Sequence, residues 1–413
     1  MARCAWRRNS VLIRPSHAGA EILHALRGFT LSGPSTQEVR QHGLAYFVNE
    51  YWTAGQRQAH SIHEVSYRAC FKPQLPEFLI ARLTAPNETV YDPFSGRGTT
   101  AVQAALMGRR PAANDINPLS EMLVRPRLDP PSRAAIAARL ASLDLASAAP
   151  AEPDDDLLTF YHPVTLGQIR ALRRTLLDRA ASGTLDGTDA WLRMVAINRL
   201  TGHSPGFFSV YTLPPNQAAS LASQRRINAR RGQTPPPRDV AELILRKSAK
   251  LLANGPPPRH PPPLLMTGPA DATPALGDAS VALIVTSPPF LDVVDYEGDN
   301  WLRCWFAGID PRAVMLDRHR DVAAWERFVR RAFGEFARVV RPGGMVAFEV
   351  GEVRGGNILL ERNVVAAIAG LPFDVLGVMV NSQAFTKTAN CWGVGNNARG
   401  TNTNRIVLAR RSL

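Results

Sequence analysis

The residues Ser287-Pro288-Pro289-Phe290 can hold a planar amino group at the end of a strand. Residues 281–285 are apolar and rich in β-branched side chains, which predicts a buried strand that ends at this motif. Two consecutive prolines fix the backbone and remove two N–H donors, so the serine hydroxyl and the backbone carbonyls remain as acceptors. An aromatic ring beside them can stack on a heterocycle. The combination indicates an exocyclic amino group of a nucleobase rotated out of its helix.

A second segment, residues 89–100, has the pattern of a ligand-binding glycine loop. A short run of strand-forming residues ends at Asp92, and Gly96 and Gly98 follow before a run of small and apolar residues that predicts a helix. Glycines let the backbone approach a ligand closely, and the free N–H groups of a helix N-terminus can bind it. The next predicted strand ends at Asp115, where an acidic side chain can accept both ribose hydroxyls of an adenosine cofactor.

The acidic residue before the loop indicates a cationic ligand rather than a phosphate. A dinucleotide loop would have a third glycine where this chain has Ala101, and the Gly-Lys-Ser/Thr of a P-loop is absent. The Asp92 carboxylate instead suits the sulfonium and ammonium groups of S-adenosylmethionine. The segment therefore predicts S-adenosylmethionine as the cofactor.

Together the two segments resemble those of the amino-group DNA methyltransferases, which modify cytosine at N4 or adenine at N6. Residues 92–100 are similar to the cofactor loop of that family, and residues 287–290 are similar to its catalytic Ser/Asp-Pro-Pro-Tyr/Phe motif. Residues 71–79, 338–346 and 385–406 also resemble segments of the family. The order of cofactor loop, long insert and catalytic motif is that of the alpha group, whose insert recognises the target sequence.

The resemblance implies a set of site residues, none of them a metal ligand. Catalysis would depend on Ser287, Pro288, Pro289 and Phe290. The cofactor would be bound by Lys72, Pro73, Asp92, Pro93, Phe94, Gly96, Gly98, Thr99, Thr100, Asp115, Asn117 and Asp271. The segment of Lys72 and Pro73 would lie beside the methionine end of the cofactor. Asp271 would approach the adenine, although a plain loop acid is an equal alternative for this residue.

Direct methyl transfer can be built from the same residues. An aromatic amine is a poor nucleophile because its lone pair is delocalised into the ring. If the Ser287 hydroxyl oxygen and the Pro288 carbonyl accept its two hydrogens, the nitrogen can become pyramidal and direct the lone pair at the sulfonium methyl, and such positioning lowers a barrier substantially. Phe290 would stack on the flipped ring. Water, Asp292 or Asp295 would then take the proton.

The modified base and the nucleic acid are open between several alternatives. Serine in the motif favours cytosine N4 over adenine N6 by family resemblance, but either serine or aspartate can accept a hydrogen bond from an amine. An RNA amino-group methyltransferase, a catalytically silent DNA-binding relative and a nucleotide-dependent oxidoreductase are the other hypotheses. The oxidoreductase is the weakest of these, since the Ser-Pro-Pro-Phe motif has no role in it.

Cysteine usage excludes methylation of cytosine at C5. That reaction needs a nucleophilic thiolate, normally in a Pro-Cys dipeptide, and this chain has none. The four cysteines are scattered without metal-ligand spacing, which predicts free thiols in a reducing cytoplasm; they are Cys4, Cys70, Cys304 and Cys391.

Positive charge is concentrated between the two motifs. The 413 residues have a formal net charge of +13, and residues 165–260 contain 15 Arg or Lys against 5 Asp or Glu. Because this excess lies where the family resemblance places target recognition, the resemblance implies double-stranded DNA as the partner and a cognate restriction endonuclease as a further candidate. A basic helix face against the phosphate backbone is predicted from the spacing of Arg225, Arg226, Arg230 and Arg231. No apolar run is long enough to predict a membrane helix, so a cytoplasmic enzyme is expected.

Four regions are predicted along the chain. Residues 1–60 have no assigned role and a predicted helix at 37–52, residues 61–130 form the cofactor half, residues 131–263 form a basic and mainly helical target-recognition insert, and residues 264–413 form the catalytic half. Helices are expected at residues 133–145, 165–181, 189–200, 216–231 and 239–253.

Alternating strands and helices on both sides of the insert predict an α/β fold with a doubly wound, mostly parallel sheet, like that of class I S-adenosylmethionine-dependent methyltransferases. Such sheets bind ligands beyond the carboxyl ends of their strands, so Asp92 and Ser287, 195 positions apart, should converge.

Overall fold

Strands on both sides of a helical insert form one large sheet. The computed structural model describes residues 18–30, 35–52, 59–68, 70–153, 155–289, 291, 295–314, 319–353, 358–382 and 403–413. Its strands are β1 (Gln37–Gln41), β2 (Leu44–Asn49), β3 (Thr89–Asp92), β4 (Arg110–Asp115), β5 (Leu264–Thr267), β6 (Val281–Thr286), β7 (Val340–Val350), β8 (Glu352–Val353), β9 (Ile358–Leu359), β10 (Phe373–Ser382) and β11 (Thr403–Arg411). Strands β8 and β9 pair only with each other.

The other nine strands lie in the spatial order β1-β2-β10-β11-β7-β6-β3-β4-β5. Five of the eight neighbouring pairs are parallel, and β1–β2, β10–β11 and β11–β7 are antiparallel. The chain proceeds from β3 towards one edge through β4 and β5, and then returns to the opposite side of β3 with β6. The predicted doubly wound, mostly parallel α/β fold is confirmed, and β3 and β6 flank the point where the strand order reverses.

Helices cover both faces of this sheet and also form the insert. They are α1 (Ala18–Arg27), α2 (Gln74–Leu83), α3 (Thr99–Leu106), α4 (Leu119–Leu128), α5 (Arg133–Leu143), α6 (Pro163–Ala181), α7 (Gly187–Ile197), α8 (Leu221–Arg231), α9 (Val240–Leu251), α10 (Tyr296–Ala307), α11 (Val322–Val339) and α12 (Leu360–Ala367). Ile284 of β6 packs in the hydrophobic cluster of α11 and α12, whereas Leu283 and Val285 pack in that of α1 and α2. Because successive side chains of a strand point to opposite faces, β6 is buried on both sides.

The prediction of a helix at residues 37–52 is wrong, because β1 and β2 form a hairpin there. His42 and Gly43 connect the strands with φ angles of 52° and 79°, as a two-residue turn of type I′ requires. Tyr46 packs in a cluster with β10, while Phe47 packs on the opposite face, which is the period of a strand. Since β2 also pairs in parallel with β10, this part of the N-terminal region extends the central sheet.

The insert has a hydrophobic core of its own. Helices α5, α6, α7 and α9 pack around a cluster that includes the fully buried Trp191, whose Nε1 donates to Ser248 Oγ over 2.9 Å. The helices predicted in this region are confirmed, with ends that differ by a few residues. Cys304 and Phe306 of α10 pack in the same cluster, as do Leu119 and Leu123 of α4. The insert therefore shares its core with helices from both halves of the sheet.

The chain enters and leaves the insert at neighbouring points. His260 Nε2 lies 3.2 Å from the carbonyl oxygen of Leu128, at the end of α4. Nearby, Arg110 Nε of β4 donates to the carbonyl of Pro262 over 3.1 Å. In the described part of the chain, no helix combines the length and the apolar character needed to span a membrane.

Substitution by alanine should change the stability of the protein in opposite directions at two helical glycines. A Cβ at Gly167 of α6 would lie 2.1 Å from the carbonyl oxygen of Ala149, whereas a Cβ at the exposed Gly334 of α11 would meet no atom within 4 Å. We expect Gly167→Ala to destabilise the protein by about 1–3 kcal/mol through overpacking. Gly334→Ala should stabilise it by about 0.5–1 kcal/mol because alanine favours the helix. Thermal unfolding followed by circular dichroism tests both, and shifts of the same sign would contradict the packing described for α6.

Candidate active site

The carboxyl ends of β3, β4 and β6 border one cavity. Its open space of about 970 Å³ is continuous with solvent. The residues predicted from the sequence that line it are Asp92, Pro93, Phe94, Gly96, Thr99, Asp115, Asn117, Ser287, Pro288 and Pro289. The two motifs, far apart in the sequence, therefore face the same space.

Asp92 joins the two motifs directly. The Thr286 hydroxyl donates to Asp92 Oδ1 over 2.6 Å, and the Phe94 N–H donates to the same oxygen over 3.2 Å. Burial raises the pKa of Asp92 to about 7, although these hydrogen bonds oppose the shift. A carboxyl that titrates near neutrality can be held in its ionised form by a cationic ligand. Sequence reasoning missed Thr286, whose signal was its position as the last strand residue before Ser287.

Gly98 and Thr100 support the loop from outside the cavity. Gly98 has φ 77° at the start of α3, and a Cβ there would lie 2.2 Å from Val124 Cγ2. The Thr100 hydroxyl donates to the Val285 carbonyl over 2.9 Å. Gly98 thus lets α3 pack closely against α4, and Thr100 links α3 to β6.

Asp115 holds the glycine loop against the end of β4. Its Oδ2 accepts from the Gly96 N–H over 2.7 Å and its Oδ1 accepts from the Asn117 N–H over 2.9 Å. Burial raises the pKa of Asp115, and both hydrogen bonds oppose that shift. Each carboxylate oxygen can accept more than one hydrogen bond, so the side chain can both shape the loop and contact a ligand.

Several lining residues were not in the predicted set. They are Tyr67, Arg68, Cys70, Phe71, Ser95, Ile116, Gly268, Pro269 and Ala270. The Ser95 hydroxyl is buried and has no hydrogen-bond partner among the described residues. An unsatisfied buried hydroxyl beside a carboxyl that can be ionised fits a polar, zwitterionic ligand, such as the amino-acid end of the predicted cofactor.

A buried carboxyl lies behind Ser287. Glu349 of β7 is hydrogen-bonded to the Ser287 side chain and accepts a hydrogen bond from Asn404 Nδ2 of β11. Burial raises the pKa of Glu349 to about 7, and the two hydrogen bonds oppose that shift. The Trp325 Nε1 donates to the Pro289 carbonyl over 2.9 Å and fixes the second proline. Sequence reasoning missed Glu349, whose signal was a charged residue inside the buried, apolar β7.

Some predicted residues lie elsewhere or outside the described chain. Lys72 and Pro73 immediately precede α2 and do not line the cavity, and burial lowers the pKa of Lys72. Asp271 is exposed and pairs with Arg331 over 2.9 Å, while its neighbour Ala270 lines the cavity. Phe290 and Asp292 lie outside the described residues. Asp295 caps α10 by accepting from the Gly298 N–H over 3.2 Å. The assigned roles of all these residues stay predictions.

The four predicted DNA-binding arginines are exposed on α8, where Arg226 and Arg230 are one turn apart. Arg225 instead pairs with Asp156 at 2.5 Å, and the Arg231 guanidinium lies 3.9 Å from the centroid of the Tyr211 ring. Arg226 and Arg230 therefore share one exposed face of the helix. Contact of α8 with DNA stays a prediction.

Neither described thiol is suited to nucleophilic attack. Cys70 and Cys304 are free, as predicted, and burial raises the pKa of both, that of Cys304 to about 11. Cys4 and Cys391 lie outside the described residues. Within the described part of the chain, no group of three or more His, Cys, Asp or Glu is placed to hold a metal ion.

Comparison with solved structures finds methyltransferases with low similarity. A candidate DNA modification methylase of Thermus thermophilus, solved with S-adenosyl-L-methionine, is 22% identical with a TM-score of 0.21, over 35% of this chain and 54% of that protein. The rRNA methyltransferase aviRa of Streptomyces viridochromogenes is 14% identical with a TM-score of 0.31, over 86% of this chain and 90% of its own. A geranyl diphosphate methyltransferase is 10% identical with a TM-score of 0.32, over 82% and 77% of the two chains.

A family model matches part of the chain, whereas no curated protein matches it. Residues 32–121, about a fifth of the chain, match the model described as DNA methylase. The matched segment runs from the β1–β2 hairpin through the glycine loop to Asp115 and Asn117, and it does not include the Ser287 motif. This cofactor-side segment of the chain is therefore similar to the DNA methylases.

Proposed function

We propose that this protein transfers a methyl group from S-adenosylmethionine to an exocyclic amino group of a base flipped out of DNA, with cytosine N4 as the favoured atom. The observation that carries the proposal is the common cavity of Asp92 and the Ser287-Pro288-Pro289 segment. One half of this cavity suits a cationic cofactor and the other half suits a planar amine. Adenine N6 is the alternative target.

The cofactor side is formed by the loop between β3 and α3. S-adenosylmethionine supplies an electrophilic methyl group on its sulfonium when it is bound. The Asp92 carboxylate would attract the cationic groups of the cofactor, and the free Ser95 hydroxyl would hydrogen-bond its amino-acid end. Asp115 and Asn117, at the end of β4, are in the position where ribose hydroxyls bind in folds of this kind.

The amine side depends on acceptors that point at the base. When Glu349 is ionised, it accepts the hydroxyl hydrogen of Ser287, so the Ser287 lone pairs are free to accept a hydrogen from the amine. The Pro288 carbonyl would accept the second hydrogen. The hydrogen bond from Trp325 to the Pro289 carbonyl holds the segment rigid. Glu349 is therefore a positioning residue for Ser287.

The transfer itself needs no covalent enzyme intermediate. The amine lone pair forms the new N–C bond while the S–CH₃ bond breaks, and its electrons remain on sulfur. The nitrogen then carries a positive charge and loses one proton to water or to a nearby carboxylate. Glu349, which is hydrogen-bonded to Ser287, is a candidate acceptor of that proton.

DNA is the proposed substrate for two reasons. The segment with the glycine loop matches the DNA methylase model, and the insert carries the excess of positive charge, including the exposed arginines of α8. The insert would recognise the target sequence, and a cognate restriction endonuclease would share that sequence. Serine at position 287 is the reason for favouring cytosine N4.

The proposal predicts that purified protein transfers label from S-adenosylmethionine to double-stranded DNA. Ser287→Ala combined with Pro288→Ala should abolish labelling and leave cofactor binding intact, since the proposal assigns these residues to the amine and not to the cofactor. Ser280→Ala, at the exposed start of the same strand, is the matched control and should keep full activity. Mass analysis of the digested DNA then identifies the methylated atom. Labelling of RNA alone, or full activity in the double variant, would refute the proposal.

Cofactor affinity should depend on pH through Asp92. The Asp92 carboxyl is mostly neutral below its pKa of about 7 and ionised above it, so the affinity should increase as pH rises towards that value. The dissociation constant should fall up to about tenfold per pH unit below pH 7. In Asp92→Asn the affinity should be lower and almost independent of pH. Calorimetric titration between about pH 5.5 and 7 tests this, and a flat profile in the wild-type protein would contradict it.

Glu349→Gln should lower kcat without weakening cofactor binding. We expect a loss of about 100-fold, typical for a group that places or moves a proton. At saturating cofactor, wild-type kcat should rise through pH 7, because Glu349 titrates near that value, whereas the variant should lack this step. Glu361→Gln, which breaks the buried ion pair with Arg405, controls for loss of stability alone. An equal loss of kcat in both variants would show that Glu349 acts through stability alone and does not position Ser287.

A further inference from the structure

A second concave site lies between the insert and the sheet. This Lys247 cleft is lined by Glu64, Tyr67, Arg97, Arg199, Asn216 and Lys247, among others, and has an open volume of about 720 Å³. Tyr67 lines both this cleft and the cofactor cavity. The cleft is therefore next to the candidate active site, on the side of the basic insert.

The charges that line the cleft are not balanced. Among the described residues, Arg97 of the glycine loop, Arg199 after α7 and Lys247 of α9 face a single lining carboxylate, Glu64. The side chain of Lys247 is 8% exposed and its Nζ lies 3.5 Å from Glu64 Oε2, but the side chain of Glu64 is 62% exposed. Water therefore screens this anion, while the lysine is largely shielded from water.

The cations retain donors for a ligand. Arg199 stacks on the Phe207 ring at 3.9 Å and donates from Nε and Nη1 to backbone carbonyls. Arg97 donates once from each of its three nitrogens to Thr99, Val65 and Phe71. A guanidinium has five N–H donors, so each arginine keeps unused ones. Burial first and the charge of Arg199 second lower the pKa of Lys247 to about 8. An anion in the cleft would relieve this repulsion.

We propose that the Lys247 cleft binds a backbone phosphate of the DNA strand that carries the target base. A phosphodiester is an anion with several acceptor oxygens, which matches cations from three separate elements. Its place beside the cofactor cavity and along the insert suits a polymer that runs past the active site better than a free ion. The inference rests on the proposed DNA substrate, and it assigns the insert a fixed point of contact near the base-holding motif.

Two lysines of α9 provide a matched test. Lys247→Met removes the charge in the cleft and keeps an apolar stem, whereas Lys250→Met removes the same charge from an exposed position one turn away. Binding of a fluorescent DNA duplex is measured by anisotropy over a range of salt concentrations, with S-adenosylhomocysteine present. We expect Lys247→Met to reduce affinity about tenfold at low salt and to reduce the slope of log affinity against log salt by about 0.9. Lys250→Met should match the wild-type protein.

Thermal unfolding and cofactor titration check that the variants are folded, and Lys247→Gln is a second variant if methionine disturbs α9. Equal binding by Lys247→Met and wild type, or equal weakening by both lysine variants, would overturn the inference. Inorganic phosphate could instead raise the unfolding temperature of the wild-type protein but not of Lys247→Met, while both bind DNA equally. That result would also overturn the inference, because the cleft would then hold a free anion. Methylation of DNA by the wild-type protein is assayed separately, so failure of the proposed function is distinguished from failure of this site.

Discussion

The hydrogen bond from Thr286 to Asp92 is the contact on which the arrangement of the site depends. Strands β3 and β6 are paired only at Val90–Leu283 and Tyr91–Ile284, so the backbone ladder ends before either motif begins. Beyond it, the Thr286–Asp92 bond of 2.6 Å and the bond from Thr100 to the Val285 carbonyl hold the two sides together. Strands β3 and β6 can therefore separate beyond their last paired residues and form a crevice where the strand order reverses. The two hydrogen bonds still fix the distance between the glycine loop and the Ser-Pro-Pro segment.

The site also concentrates buried carboxyl groups. Asp92, Asp115 and Glu349 lie near the carboxyl ends of β3, β4 and β7, and burial raises the pKa of each. Burial of an acid without a cation opposes folding, and each of the three is only partly compensated by hydrogen bonds to hydroxyl, amide or backbone groups. This loss of stability falls at the place where the proposed function requires a cationic ligand to be bound. Functional sites commonly depart from the otherwise consistent rules of folding in this way.

The sequence predicts the sheet, the helices of the insert and the residues at the strand ends, because these depend on local patterns such as apolar runs, glycines and prolines. The β1–β2 hairpin was missed because helix-forming residues such as Gln37, Glu38 and Ala45 obscured a turn that requires positive φ at His42. Thr286 and Glu349 were missed for a different reason. Their significance lies in contacts across strands that only the assembled sheet creates, such as Glu349 with Asn404. Lys72 and Asp271 were chosen by family resemblance, and their side chains lie away from the cavity wall.

The contact between His260 and the Leu128 carbonyl places the two ends of the insert side by side. An insertion whose ends are adjacent can change in length without moving the strands on either side. This insert, however, shares its core with α10, which follows the Ser-Pro-Pro segment in the chain. Arg303 of α10 reinforces the connection by donating to the Pro215 carbonyl over 2.7 Å. A recombination that transplanted residues 131–263 alone would leave α10 behind, so the insert and α10 would have to be exchanged together to keep this packing.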